Sequence, residues 1–412
     1  MAVKWKGKRF KPEVIFEKIE ETDKTVKEDG KISWHGLEII PITYALKNML
    51  DFPSDINDSE KISTIGDAIE AVLRKREVID SGRFLAELKL LIRKKLATPL
   101  VSFYVLTSIS LGEVNLPGIF NIEKCSIKIL EGEYPICFQD SGRALRALPH
   151  ISDKTPQEYR KVIVETQAKS EEQAFHHAMR ALDLQRSIWL LNHYAVFQSP
   201  ETTREPVNQI RLGHVHTIHG SDGEASQMYI WYEPNFVEAK LFKPSESDLF
   251  NDNTTKIWAK IKQLEPKYQC RLKDALIRYV RALDEPDPTI AVMKLWGALE
   301  QLTNTGNYAD YDALIRRVSF VFEEREYHRQ LLESIREYRN QSIHSGEESE
   351  SAKQYARFLQ FYFCRFVMFH LRVAGKFESL SDINDFLDLP KDQQKLSKLQ
   401  KSVEIAVSMS AN

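Results

Sequence analysis

The chain has 412 residues, enough for two or three domains with adequate cores. Its formal net charge of −2 excludes a surface coated in positive charge that binds nucleic acid regardless of sequence, although an enzyme acting on RNA needs only a local basic cleft. Cys125, Cys137, Cys270 and Cys364 stand apart, with neither a CxxC pair nor zinc-ligand spacing, which is the pattern of buried thiols in a reducing cytoplasm. No apolar run follows the Lys-rich start, so no secretory signal is expected. The richest apolar segment, 358–373, is interrupted by Arg365 and His370 and falls short of the ~20 residues of a membrane span. The expectation is a soluble, cytoplasmic protein with no membrane contact and no cofactor.

Residues 4–11 interleave Lys4, Lys6, Lys8, Arg9 and Lys11 with Trp5 and Phe10. Such an arm can touch phosphates and stack on bases, or it can be a first strand with a solvated face. Residues 35–97 read as helical, with good helix formers in amphipathic order at 67–73 and 84–92 and a loop rich in Asp, Asn, Ser and Pro at 51–59. The basic runs 74–76 and 93–95 fall in the last turns, where the helix dipole favours them without any ligand.

From Leu100 the pattern changes to β. Strands are expected at 101–106, 126–130 and 161–166, because these runs are rich in β-branched and aromatic residues. Ser170 is an N-cap candidate with Glu171 and Glu172 in the first turn, so a helix is expected from Glu171 to about Leu191. Two strands at 209–217 and 227–232 follow, joined by the turn at 220–223. His214, His216 and His219 cluster there. His214 and His216 share a strand face and His219 can bend back from the turn, so three imidazoles could bind zinc, although no carboxylate or cysteine stands at a telling distance. The adjacent His176 and His177 point to different faces and read as packing or solvent residues.

The last part is almost wholly helical. Pro286 and Pro288 end one helix and begin another, which runs from Ile290 to Thr303 with Met293, Trp296 and Leu299 as its core stripe. Glu300 lies one turn beyond Trp296, at the stripe's margin. The next pattern, from Arg325, carries Leu331, Leu332, Ile335, Tyr338 and Ile343 at helical spacing and ends in Arg339-Asn340-Gln341-Ser342-Ile343-His344. Arg339 falls between Ile335 and Ile343 on the same ridge and so turns toward the buried side, where its charge needs a partner; Glu300 is a candidate. His344 is about 140° further round, so one phosphate is not easily gripped by both on a straight helix. Termination at Gly346, or a second copy of the chain, relaxes that limit. At a helix C-terminus imidazolium is favoured, and histidine changes charge near neutral pH. An arginine holding phosphate beside such a histidine can cleave RNA without metal, with the ribose 2′-OH as nucleophile. After a loop at 345–349, the helix 352–373 presents Phe358, Phe361, Tyr362, Phe366 and Phe369 as a core or dimer stripe, and a final helix is expected beyond Pro390.

The run 271–279, the segment 294–302 with Trp296-Gly297-Ala298-Leu299-Glu300, the segment 314–318 and the Arg-Asn-x-x-x-His element together resemble a HEPN domain, most closely the Apea-like group. The strand leading into a Ser-Glu-Glu-x-Ala helix is loosely similar to the region that precedes that domain. The resemblance covers about the last third of the chain. It implies an all-α bundle that homodimerises, with Arg and His of both copies in a shared cleft, and metal-independent endoribonuclease activity in toxin or anti-phage systems. HEPN toxins silenced by a nucleotidyltransferase often carry a tyrosine two residues after the histidine; Gly346 at that place argues against that control.

The expected architecture is therefore α+β. Residues 1–98 form a mostly helical region with a basic arm, 99–250 an α+β sensor or regulatory domain, and 251–412 the helical domain with its tail. The expected function is RNA cleavage at a dimer cleft by Arg339 and His344, assisted by Asn340 and Glu300, leaving 2′,3′-cyclic phosphate and 5′-hydroxyl ends. A phage product or small molecule acting on the N-terminal part is the expected trigger. The alternatives are a non-catalytic HEPN module for dimerisation or partner binding, and a metal-dependent hydrolase built on the three histidines.

Overall fold

Side chains that close the first turn set where several helices of this chain begin. The computed structural model describes residues 3–7, 9–22, 24–26, 32–35, 39–53, 56–75, 78–139, 154–191, 193, 206–233, 236–304, 310–345 and 351–410. The architecture is α+β, 58% helical and 14% strand, with strands and helices mixed in the N-terminal part and helices alone at the C-terminal end. Two compact units contain residues 1–104 with 165–177, and 105–164 with 178–412.

In the first unit the elements are β1 (Lys4–Trp5), α1 (Pro12–Glu21), β2 (Lys24–Val26), β3 (Ile32–Trp34), α2 (Ile39–Met49), β4 (Leu50–Asp51), α3 (Asp58–Arg74) and α4 (Ser81–Ala97). The basic arm is a short strand whose Trp5 turns inward against Phe16 and Phe84, 6.1 and 5.9 Å between ring centroids. The stretch 35–97 is not continuously helical, because Leu50 and Asp51 pair antiparallel with Trp5 and Lys4. A capping box opens α3: the Glu60 N–H donates to Asn57 Oδ1 at 2.9 Å and the Asn57 N–H to Glu60 Oε2 at 3.1 Å. Glu60 is buried, and its second oxygen accepts the Ser170 hydroxyl at 2.9 Å. Ser170 in turn accepts the Gln173 N–H at 3.1 Å, the N-cap expected from the sequence.

Next come β5 (Val101–Ile109), β6 (Phe120–Ile122), β7 (Cys125–Ile129), α5 (Ile136–Gln139), β8 (Arg160–Ala168), α6 (Glu171–Leu190), β9 (Val215–His219) and β10 (Ala225–Tyr232). The six strands form one sheet in the order β10-β9-β5-β8-β7-β6. The strand expected at 209–217 begins only at Val215. Before it, the chain is tied to the end of β5 irregularly: the Arg211 N–H donates to Ser110 Oγ at 2.8 Å, and the Gly213 N–H to the Ser108 carbonyl at 2.8 Å. A Cβ at position 213 would lie 2.1 Å from Ser108 Oγ, so a larger residue would have to displace that hydroxyl.

The helices that follow are α7 (Ser247–Ile261), α8 (Pro266–Leu283), α9 (Pro288–Thr303), α10 (Tyr311–Phe320), α11 (Arg325–Ser345), α12 (Ala352–Arg372), α13 (Leu380–Leu387) and α14 (Gln393–Ser410). Proline opens α8 and α9, each behind an acidic cap, Glu265 and Asp287. The core between α8, α9 and α12 contains fully buried Trp296, Tyr279 and Phe363, the last two stacked 4.4 Å apart. Of the aromatic stripe Tyr362 and Phe366 are buried, Tyr362 against Phe322 and His328, whereas every residue of α14 is exposed.

One charged cluster within the second unit joins α6, the end of α8 and the segment before β9. The Arg186 side chain is wholly buried; it donates to Asp183 at 2.6 Å, to both oxygens of Asp284 at 3.1 and 2.9 Å, and to the Ile210 carbonyl at 3.0 Å. Arg281 reaches Asp183 and Glu233, and Asn208 donates to Asp284 at 2.7 Å. Burial disfavours the Arg186 charge, but Asp284 and Asp183 outweigh it and hold the guanidinium more firmly protonated than usual. Removing one member strands the others without compensation. Arg186→Leu is therefore expected to lower the unfolding free energy by about 3–5 kcal/mol, read as a drop in the urea midpoint.

Candidate functional site

Three residues on one face of α9 recur at intervals of four: Trp296, Glu300 and Asn304, the last being the helix C-cap. Trp296 Nε1, Glu300 Oε1 and Asn304 Oδ1 are all buried and none makes a well-formed hydrogen bond among the described residues, although Trp296 lies close enough to Glu300 to favour its charged form. From α11, which packs against α9, a fourth such atom is Arg339 Nε. Buried polar atoms are ordinarily paired, so four without a partner among the described residues on two adjoining helices single this place out as a candidate site.

Arg339 is half-buried, as its position on the ridge implies, and its surroundings are specific. Its Nη1 donates to Asn340 Oδ1 at 3.2 Å, and its guanidinium carbon lies 4.9 Å from the centroid of the Tyr311 ring. The expected pairing with Glu300 is not an ion pair: the guanidinium turns to Tyr311 and Asn340 instead. Glu300 still feels it. Burial raises the Glu300 carboxyl above its ordinary range, while the positive charge of Arg339, then Trp296 and Arg278, pull it partly back. Arg336, one turn earlier, also lies over Tyr311, at 5.7 Å, but Asp312 engages it at 2.6 Å.

The backbone of α11 runs to Ser345, so His344 belongs to its last turn. The side chains of Ile343, His344 and Ser345, and all of Gly346, lie outside the described residues. Arg339, Asn340 and Glu300 thus come together on α9 and α11, joined by Tyr311, which sequence reasoning missed. Tyr311 opens α10, and nothing in the local pattern marks a contact made across a connection between helices. The recurrence of Trp296, Glu300 and Asn304 was readable as spacing, but not that their polar atoms lack partners.

His214, His216 and His219 are buried, and they serve different partners. His219 places Nδ1 2.8 Å from the Gly223 carbonyl and Nε2 2.9 Å from Thr217 Oγ1. His216 has Nδ1 2.7 Å from Thr107 Oγ1 and Nε2 3.5 Å from Glu233. His214 lies against Tyr232 and Phe236. Among the described residues no three side chains of His, Cys, Asp or Glu gather as a metal site, and no helix is long and apolar enough to cross a membrane. No protein-family model matches the chain, and comparisons with curated proteins and with solved structures find no match.

A carboxyl raised on folding binds more protons in the folded than in the unfolded state over the window between its two pKa values. Stability then falls as pH rises from the ordinary value near 4.5 through the raised one. Glu300→Gln lacks that titration. Its stability is expected to be flatter than the parent's across this window and no lower at pH 7, as measured by urea unfolding at a series of pH values.

Proposed function

We propose that this protein is a metal-independent endoribonuclease of the HEPN type. The observation that carries the reading is the state of Arg339: a half-buried guanidinium, oriented by Asn340 and Tyr311, with a buried N–H unmatched and no carboxylate in direct contact among the described residues. A cation without a counterion in a partly desolvated place is suited to an anionic group brought by a ligand, and a phosphodiester supplies one. Five residues on, His344 takes or gives the proton. The ribose 2′-oxygen loses its proton and attacks the adjacent phosphorus, the bond to the 5′-oxygen breaks, and that oxygen leaves protonated. The products are a 2′,3′-cyclic phosphate and a 5′-hydroxyl end. Arg339 offsets the charge that builds on the non-bridging oxygens.

On this reading Asn340 is a positioning residue, and a homodimer through the helical part brings two such motifs into one cleft. A cellular role in toxin or anti-phage defence, in the cytoplasm and under a trigger sensed by the N-terminal part, accords with an enzyme whose substrate is the cell's own RNA. A non-catalytic module in which Arg339 serves stability alone would instead be expected to close the guanidinium on Glu300.

The test uses the full chain and RNA in EDTA. His344→Ala is expected to lower the cleavage rate by about two to four decades, the share usual for proton transfer. Arg339→Ala should lower it by about two to three decades, as removal of a charge-stabilising donor does. Full activity in both variants, or no cleavage by the parent chain with its trigger supplied, removes the proposal. Loss of activity on metal removal in the parent would favour the hydrolase reading instead.

A further inference from the structure

Arg339 is the last of four arginines that α11 sets along one flank of its buried stripe. At 100° per residue, Arg329 and Arg336 lie about 40° and 20° from Arg325, and Arg339 about 40° to the other side. The row is about 21 Å long, from fourteen residues at a rise of about 1.5 Å. Its far end is the more concentrated. There the Phe320 ring, at the end of α10, has the Arg325 guanidinium at 5.3 Å and the Lys391 ammonium at 5.3 Å, so one ring serves two cations. Arg329 follows one turn after Arg325, exposed.

These charges are not neutralised locally. Asp388 is engaged by Arg316 at 2.9 Å and by Arg317 at 2.6 Å, and it and Glu326 offset the Arg325 charge only in part. Arg325 and Arg329 make no ion pair among the described residues, and the Lys391 ammonium donates to a backbone carbonyl, that of Phe322, at 2.5 Å. Glu323, Glu324 and Glu326 lie nearby, yet cation–cation repulsion is felt: burial first, then Arg329 and Arg316, depress the Arg325 pKa, and burial followed by Arg325 depresses that of Lys391. A fold that holds cations together at such a cost meets it when an anion binds between them.

We infer that α10 and α11 carry a track for the phosphodiester backbone of single-stranded RNA, from Arg325, Arg329 and Lys391 around Phe320 to Arg339 beside Tyr311. The inference rests on the nuclease reading for its substrate, and it names what that reading leaves open, the strand state and the path. A single strand fits for two reasons. A row of point cations on one helix follows one backbone, and the 2′-oxygen reaches the in-line position only where the backbone is free to turn. Aromatic rings at both stations match the usual construction of single-strand sites. Arg336, already paired with Asp312, bridges the two stations without being the anchor of either.

The experiment uses the full chain and a labelled oligouridine of roughly 12 nucleotides, within the length such sites accept. Binding is measured over a range of salt for the parent, for Arg329→Gln alone, and for the triple variant Arg325→Gln, Arg329→Gln, Lys391→Gln. The triple change is expected to reduce the slope of log affinity against log salt by about 2, roughly a 40-fold loss at 0.15 M salt, and the single change by about 0.7. Arg329 is exposed and unpaired, so its replacement reads the track without risk to the fold. A dinucleoside monophosphate reaches only the Arg339 end, and its cleavage should match the parent's in every variant. Parent-like affinity and slope in the triple variant overturn the track, as does a parent chain that does not bind the oligonucleotide. Salt-dependent binding that the variants weaken, with no cleavage by any chain, upholds the track and removes the nuclease reading.

Discussion

A wholly buried arginine sets the terms for the larger unit. Arg186 sits on α6, and its two terminal amino groups donate to Asp183 of its own helix, to Asp284 at the end of α8, and to a carbonyl before β9. The cost of removing that charge from water is recovered only if every partner is in place, so the cluster allows one relative placement of α6, α8 and the 208–213 segment. Asp284 also terminates α8 as its C-cap, four residues before α9 opens behind Asp287. The direction in which α9 leaves is thereby tied to the ion cluster, and the face bearing Trp296, Glu300 and Asn304 is carried with it.

Two kinds of buried polarity result, and they differ in how completely they are matched. Around Arg186, three cations meet three anions and Asn208 and backbone carbonyls add hydrogen bonds, with Arg186 Nε left without a partner among the described residues. Between α9 and α11 the groups are few and several are unmatched. The first arrangement fixes geometry; the second keeps electrostatic capacity in reserve. The ion cluster and the less completely paired groups between α9 and α11 lie within the same unit. The core imidazole of His370 shows the contrasting use: buried beside Tyr268, its pKa pushed down to about 3, it stays neutral and serves packing.

Much of the fold was legible because its signals are local. Apolar recurrence located the helices around Trp296, Leu332 and Phe366, proline and acidic caps marked where α8 and α9 begin, and the Ser170 cap lies where the sequence places it. Where local signals met a distant partner, the partner prevailed. Leu50 ends a helical pattern and Asp51 opens the expected loop, yet both form a strand, because β1 offers them hydrogen bonds. Residues before Val215 have strand composition but are bent to Ser108 and Ser110. The histidines at 214 and 216 alternate as a shared face would and 219 follows at the turn, but each turns to its own neighbour.

The sequence by itself determined the periods, the caps and the ridge that turns Arg339 inward, since these depend on residues within a turn or two of one another. It also located a carboxylate at the margin of the α9 stripe. Only the tertiary structure decided that this carboxylate leaves Arg339 unneutralised, that Tyr311 receives the guanidinium, and that Phe320 gathers two cations from α11 and from beyond α13. Those outcomes depend on which side chain wins a contact among several within reach. That competition is settled by the packing of helices distant in sequence, and helical spacing carries no record of it.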